Sequence, residues 1–330
     1  MKTLVVYGTR PEFLKVKPIL LADKNIDSLF VKQHTDIIDF GNSKHSIDVE
    51  STTGDRLNDI FQQIFLKASK IIKQYDNIVI QGDTATVAGI AISAFNLKKK
   101  IFYVESGLRS YDLQNPYPEE GYRQMVSRIA DVNFCPTELS AQNLEKEQAL
   151  GKIFVVGNTV LDNILEEKQK CVYGWKVLVT LHRSENLSIL DKWLHEIENL
   201  AKTNKELEFI LPVHPNPKIK EITKNLKYIK CIDPLEHHDL INILKQCLLV
   251  ITDSGGIQEE SCFFNKKTIV CRKVTERPEG IETGHIHLCE DPKDLSTIFE
   301  LQRKNFIIDA ECPYGDGKSA NRIVKIINET

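Results

Sequence analysis

The sequence predicts an α/β protein made of two Rossmann-like domains, each a doubly wound parallel sheet. Three observations predict it. Short runs rich in β-branched residues alternate with longer helical patterns. The strand-like runs are continuously apolar, as in parallel strands covered on both faces. The pattern also restarts after residue 165, in a chain whose 330 residues exceed one comfortable core.

In the first half, strands are predicted at 3-TLVVYG-8, 28-SLFVKQ-33, 77-NIVIQG-82, 101-IFYVES-106, 132-VNFCPT-137 and 153-IFVVGN-158. Pro11 marks the first turn of a helix after the first of them. Further helical patterns cover 58–74, 84–98, 119–130 and 138–149. In the second half, strands are predicted at 176-KVLVTL-181, 208-EFILPV-213, 228-YIKCID-233, 248-LLVITD-253 and 267-KTIVCR-272. Helices are predicted at 188–204, 216–225, 237–246, 255–264 and 292–303. The expected domains are 1–165 and 166–316, with 317–330 a helix that packs back on the first.

Composition narrows the function classes. A hydrophobic content of 42% with 27% charged residues describes an ordinary soluble globular chain. A net charge of −3 supplies no basic field for nucleic acid or membrane. The eight cysteines form no CxxC pair and most sit in or beside apolar runs, which reads as buried, reduced thiols. No apolar segment approaches a membrane span or a signal peptide, so a cytoplasmic protein is expected.

In open α/β sheets, ligands bind beyond the carboxyl ends of the strands. The candidate residues fall there. Arg10 follows the first strand, and Asp83 follows IVIQG. Glu105 and Arg109 follow IFYV, His182 follows VLVTL, and His214 follows FILPV. Ser254, Gly255 and Gly256 follow LLVITD. Two such halves are expected to bind a ligand in a cleft between them.

Each candidate also has a plain structural reading. In 252-TDSGGIQEE-260, glycines and a helix N-terminus would receive a phosphate or pyrophosphate, with Glu260 placed for ribose hydroxyls; alone, the stretch is an ordinary strand-to-helix turn. It is neither a P-loop nor a GxGxxG fingerprint, so a sugar nucleotide outranks ATP or NAD. Arg10 and Lys15 lie at the start of the first helix, where cations are unfavourable unless an anion joins them; otherwise they are solvated. Arg277, in 274-VTERPEG-280, is a phosphate or ribose ligand or else a surface ion pair. In 115-NPYPEEGYRQ-124, Pro116 and Pro118 precede Glu119 and Glu120, acids that also suit a first helical turn. Asp83, Glu105 and Glu119 come from successive segments, and three carboxylates at one sheet edge point to acid–base work. Singly, each is a cap, Asp83 above all. His182 is a partner for a leaving pyrophosphate or a structural histidine. His237 and His238 lack metal-site spacing.

Together these stretches resemble the non-hydrolysing UDP-N-acetylglucosamine 2-epimerases. The matching pieces are GTRPE at 8–12, QGDT at 81–84, VESGLRS at 104–110, NPYPEEGYR at 115–123, VGNTVLD at 156–162, TLHRSEN at 180–186, PVHPNP at 212–217, TDSGGIQEE at 252–260 and TERPEG at 275–280. They run in family order over nearly the whole chain. The resemblance implies the GT-B architecture, two Rossmann-like domains facing across a cleft, and a homodimer. It implies reversible conversion of UDP-N-acetylglucosamine to UDP-N-acetylmannosamine, through elimination of UDP to 2-acetamidoglucal and re-addition, with no nicotinamide and no metal. Asp83, Glu105, Glu119 and His182 would then be catalytic. Arg10, Lys15, Arg109, His214, Ser254, Gly255, Gly256, Glu260 and Arg277 would bind substrate.

Three departures stand out. Tyr122 precedes Arg123 where the family commonly has Asn. Leu235 and Leu240 stand where a polar and an aromatic side chain are expected near the base. The segment 33–51 is short, although Gln33 and His34 match, which leaves a second, regulatory UDP-N-acetylglucosamine site open. The alternatives are a hydrolysing epimerase, an epimerase of a related UDP-amino sugar, a GT-B glycosyltransferase and a catalytically inactive nucleotide-sugar binder.

Overall fold

The computed structural model describes residues 1–33, 41–50, 52–183, 186–275 and 277–330. The chain divides into two units: Met1–Asn163 with Gly315–Thr330, and Ile164–Tyr314. In the first unit, β1 (Thr3–Tyr7) leads through α1 (Arg10–Ala22) to β2 (Asp27–Lys32) and β3 (His45–Asp48). α2 (Arg56–Gln63) runs through a π-helical turn, Ile64–Ala68, into α3 (Ser69–Ile72). There follow β4 (Asn77–Gln81), α4 (Ala85–Asn96), β5 (Lys100–Val104), α5 (Glu119–Ile129), β6 (Val132–Cys135), α6 (Glu138–Lys146) and β7 (Lys152–Val155). The strands pair in parallel in the order β3-β2-β1-β4-β5-β6-β7.

The apolar runs explain this sheet. Leu4, Val6, Ile78, Ile80, Ile101 and Tyr103 pack on one face against Ile60, Ile64 and Ala88. Their neighbours Val5, Tyr7, Val79, Phe102 and Val104 pack on the other against Val16 and Ile19. Because successive side chains point to opposite faces, both cores require strands without polar alternation. The edge strand β3 has no such run. Only Ile47 of its four residues is buried, so pattern reading passed over it.

A 3-10 segment, Thr159–Lys170, carries the chain into the second unit. There β8 (Lys176–Thr180), α7 (Leu190–Thr203), β9 (Glu208–Pro212), α8 (Pro217–Thr223), β10 (Lys230–Ile232), α9 (His237–Leu244), β11 (Cys247–Thr252), α10 (Gly255–Phe263), β12 (Lys267–Val270), α11 (Glu279–Glu282), β13 (Ile286–Leu288) and α12 (Leu295–Lys304) form the second parallel sheet. Its order is β10-β9-β8-β11-β12-β13. The three residues of β13 were too few to stand out in the sequence. Each sheet reverses its strand order beside its first strand, between β1 and β4 and between β8 and β11. These are the topological switch points where doubly wound folds bind ligands.

The last helix, α13 (Ser319–Glu329), belongs to the first unit. Asp162 caps it, accepting from Ser319 N at 3.1 Å and Ala320 N at 2.8 Å. Ala320, Ile323 and Ile327 join the core beneath α1. Cys135, Cys247, Cys262, Cys271 and Cys289 are buried, Cys231 is exposed, and no cysteine is in a disulfide. No helix among the described residues is long and apolar enough to cross a membrane.

His285, between α11 and β13, is fully buried. Its Nδ1 lies 2.8 Å from Thr283 Oγ1, and its Nε2 has no hydrogen-bond partner among the described residues. Burial, with Lys267 and Lys168 adding to it, pushes its pKa down from 6.5 to about 4. The unfolded chain therefore binds a proton that the folded chain refuses. His285 contributes no pH dependence above its unfolded pKa, and stability falls as pH drops from there towards the folded value, with a slope approaching about 1.4 kcal/mol per pH unit. His285→Asn cannot titrate. Urea unfolding of this variant should lose less stability than the unaltered protein between about pH 7 and pH 4.5. Parallel acid profiles would overturn the assignment.

Candidate functional site

At the first switch point, Thr9 caps α1 and Glu12 closes a capping box. Glu12 accepts from Gly8 N at 2.6 Å and Thr9 N at 3.1 Å. Its other oxygen accepts from Thr84 Oγ1 at 2.7 Å. Thr84 also caps α4. One buried carboxyl therefore joins the turn that carries Arg10 to the loop that carries Asp83. Burial pushes the Glu12 pKa up to about 7, with a smaller push from Asp83, against hydrogen bonds that act the other way. The sequence reading missed this residue, although Thr-x-x-Glu ahead of an apolar run is a capping-box signature.

Thr84, rather than Asp83, fills the capping position, so the Asp83 carboxylate serves another purpose. Its Oδ2 accepts from Arg123 Nε at 2.9 Å and Nη2 at 2.6 Å. Arg123 also reaches Glu120 Oε2 at 3.3 Å. Glu120 is fully buried and braces the loop before it, accepting from the amides of Ser110 at 3.0 Å and Tyr111 at 3.2 Å. Glu119, one residue earlier, is different: its buried Oε2 has no hydrogen-bond partner among the described residues. Glu119 and Arg123 are four residues apart on α5, so they share a helix face. Glu119 thus lies within one turn of the guanidinium that holds Asp83.

Glu105 closes this side of the site. Its backbone is left-handed, with φ +64°. Lys15 and Gln81 each bind one of its oxygens at short range, and Asn158 Nδ2 approaches at 3.4 Å. The structure so pairs Lys15 with Glu105 and Asp83 with Arg123. Arg10, half-buried, opens α1.

At the second switch point, buried Asp253 accepts from His182 N at 3.1 Å, Arg183 N at 3.0 Å and Asn186 Nδ2 at 3.0 Å. The His182 ring stacks on His214, with centroids 5.5 Å apart. Burial lowers the His182 pKa, and His214 and Arg183 add to this against the opposing pull of Asp253. Neutral imidazole is favoured, the form that can both give and take a proton. Asp253 and Asn186 were not singled out in the sequence, because buried second partners leave no signature there.

Ser254 opens α10, and its side chain makes no capping bond. A Cβ on Gly255 would lie 2.8 Å from Arg277 Nη1, so the Arg277 guanidinium rests directly on this glycine. Arg277 is buried rather than part of a surface ion pair, and its Nε donates to buried Glu259 at 2.6 Å. A Cβ on Gly256 would meet nothing within 4 Å. Amides at a helix start beside a buried guanidinium offer an anion site. Glu260, on the same helix, accepts from His237 Nε2 at 2.6 Å.

The model of the family described as UDP-N-acetylglucosamine 2-epimerase matches residues 17–328. The chain belongs to this family. A UDP-N-acetylglucosamine 2-epimerase of Campylobacter jejuni is 34% identical over 99% of this chain and 97% of its own length. A crystal structure of the Neisseria meningitidis UDP-GlcNAc 2-epimerase bound to UDP-GlcNAc superposes with a TM-score of 0.88 at 28% identity, covering 100% of both chains. The Methanocaldococcus jannaschii UDP-GlcNAc 2-epimerase, in complex with UDP-GlcNAc and UDP, gives 0.82 at 30% identity, again with 100% of both chains covered. These likenesses place the fold in the two-domain GT-B class. Of the quoted motif residues, His34, Ser184, Glu185 and Glu276 lie outside the described residues. Gln33 donates to Thr86 Oγ1 at 2.6 Å.

Arg109 departs from its expected role as a substrate ligand in this epimerase-family chain. Its side chain has no exposed surface and forms a bidentate pair with Glu147 at 2.7 and 2.8 Å. It also donates to Ser127 Oγ and the carbonyl of Leu108. A position just after a strand did not fix its direction, because a long side chain can turn inward. Arg109→Met should destabilise the fold by about 2–4 kcal/mol, at the low end of buried-pair losses because Glu147 keeps some access to water. UDP affinity of the folded variant should stay within about twofold, since tenfold is about 1.4 kcal/mol. Thermal unfolding and calorimetric titration with UDP check both statements. A stable variant with weakened UDP binding would restore the original role.

Proposed function

We propose that the protein interconverts UDP-N-acetylglucosamine and UDP-N-acetylmannosamine without hydrolysis. The observation that carries this reading is Glu119: a carboxylate oxygen that is buried, unbonded, and one helical turn from the clamp on Asp83. A carboxylate with no structural partner suits proton transfer to a bound sugar. Family membership supplies the nucleotide sugar, and the relatives bound to UDP-GlcNAc and UDP support its class.

The chemistry balances without an external reagent. A carboxylate takes the C2 proton, the C2–H electron pair forms the C1=C2 bond of 2-acetamidoglucal, and the C1–O electron pair leaves with UDP. On return, a UDP oxygen adds to C1 and a proton is delivered to the opposite face of C2. Developing charge on the diphosphate is matched by Arg10, His182, Arg277 and the amides of 254–256. Asp83 and Glu119 serve the two faces of C2, while Lys15 and Gln81 hold Glu105. Glu260 receives the ribose. Assembly as a homodimer and a cytoplasmic location belong to the same reading, by family resemblance.

Incubation with UDP-N-acetylglucosamine in D₂O, followed by proton and phosphorus NMR, tests the reaction. Deuterium should enter C2 as UDP-N-acetylmannosamine appears with its diphosphate attached. Release of free UDP and N-acetylmannosamine would replace the proposal with hydrolysis, and absence of exchange would overturn it. Glu119→Gln and Asp83→Asn should each lower kcat by at least about 10²-fold, while UDP affinity stays within a few-fold. Near-normal rates in either variant would remove that residue from the mechanism.

A further inference from the structure

We infer that His237 is a positioning residue for ribose recognition, holding the Glu260 carboxylate so that its second oxygen faces sugar hydroxyls. The inference rests on the proposed function, which places a uridine diphosphate at α10. Its basis is the pairing of two elements, α9 and α10, at one buried contact. His237 is the first residue of α9, and Glu260 lies in the second turn of α10. Their side chains are 20% and 5% exposed, and Nε2 lies 2.6 Å from Oε1. A carboxylate is an acceptor, so the histidine donates and Nε2 carries the hydrogen. Glu260 Oε2 takes no hydrogen bond from the described residues.

The position of Glu260 matters as much as its partner. Gly256 and Glu260 are four residues apart and share a face of α10, about 6 Å along the axis. The space over Gly256 is open. A diphosphate received by the amides of 254–256 would therefore have its nucleoside run along this face, with the ribose near the carboxylate. Without His237, the Glu260 side chain would lose its one side-chain partner among the described residues and could turn to other rotamers. With it, one oxygen is held and the other is presented. A buried polar group left unpaired by a missing hydroxyl discriminates strongly, which is how such a site would separate ribose from deoxyribose.

Calorimetric titration of the full chain with UDP, 2′-deoxy-UDP and 3′-deoxy-UDP tests this, using the unaltered protein, His237→Phe, His237→Asn and His237→Gln. The unaltered protein should prefer UDP to at least one deoxy form by about tenfold, equivalent to about 1.4 kcal/mol. His237→Phe fills the space without a donor. His237→Asn is too short to reach Glu260, and it carries the test if the Phe variant does not fold. Both should lose about tenfold in UDP affinity and bring the preference close to one. His237→Gln, whose amide nitrogen sits where Nε2 does, should restore both to within about threefold. In turnover, the Phe and Asn variants should raise KM with kcat little changed. A pair that merely ties α9 to α10 would alter thermal stability and leave the preference intact. UDP binding with an unchanged preference in the Phe and Asn variants overturns the role of His237 alone. Failure of the unaltered protein to bind UDP overturns this inference together with the functional reading.

Discussion

A parallel sheet covered on both faces leaves only its strand ends for polar chemistry, and the loops there must be held by something. In each unit, a buried carboxylate at the switch point does this. Glu12 accepts from the amides of Gly8 and Thr9 and from the Thr84 hydroxyl, joining the loops that follow β1 and β4. Asp253 accepts from the amides of His182 and Arg183 and from Asn186, joining the loops that follow β11 and β8. Neither acid belongs to the proposed catalytic set. Both fix the backbone from which Arg10, Asp83, His182 and Ser254 extend. Hydrogen bonds from backbone amides to a desolvated carboxylate are strong and directional, so the loops inherit the rigidity of the sheets.

The second organising device is division of labour among acids that look alike in sequence. Glu119 and Glu120 are adjacent, yet Glu120 is saturated with hydrogen bonds and Glu119 keeps a free oxygen. A helix rotates neighbouring side chains by about 100°, so adjacent residues face different surroundings. Arg123 then balances Glu120 and Asp83 together. A buried guanidinium shared by two carboxylates satisfies its own charge while leaving each acid a distinct task.

Much of this was legible in the sequence. The continuously apolar strands and the restart after residue 165 foretold two parallel sheets, and Asp83, Glu105 and His182 do lie just beyond the carboxyl ends of strands. Strand order was not legible, because pairing between distant segments leaves no local trace. β3 and β13 were too short and too polar or sparse to register. Arg109 shows the limit of positional reasoning: its place after β5 suited a ligand, but Glu147, thirty-eight residues on, drew it inward. Glu12 shows the reverse, since its capping-box spacing was on view and its link to Thr84 was not. The His237–Glu260 contact joins residues from two helices whose packing only the fold specifies.

Glu105 carries a further consequence. Its left-handed backbone favours glycine, asparagine or aspartate over glutamate, at a cost of order 1 kcal/mol. Drift towards glycine or asparagine would relax the chain, but each removes the carboxylate that Lys15 and Gln81 grip, and aspartate shortens its reach. Backbone relaxation and retention of the cluster therefore pull this position in opposite directions. The strain relieved is smaller than the loss of a part-buried ion pair, about 3–5 kcal/mol, so stability itself holds the strained residue in place. Glycine here would relax the backbone and lose the ion pair with Lys15, and the fold would be weaker for the exchange.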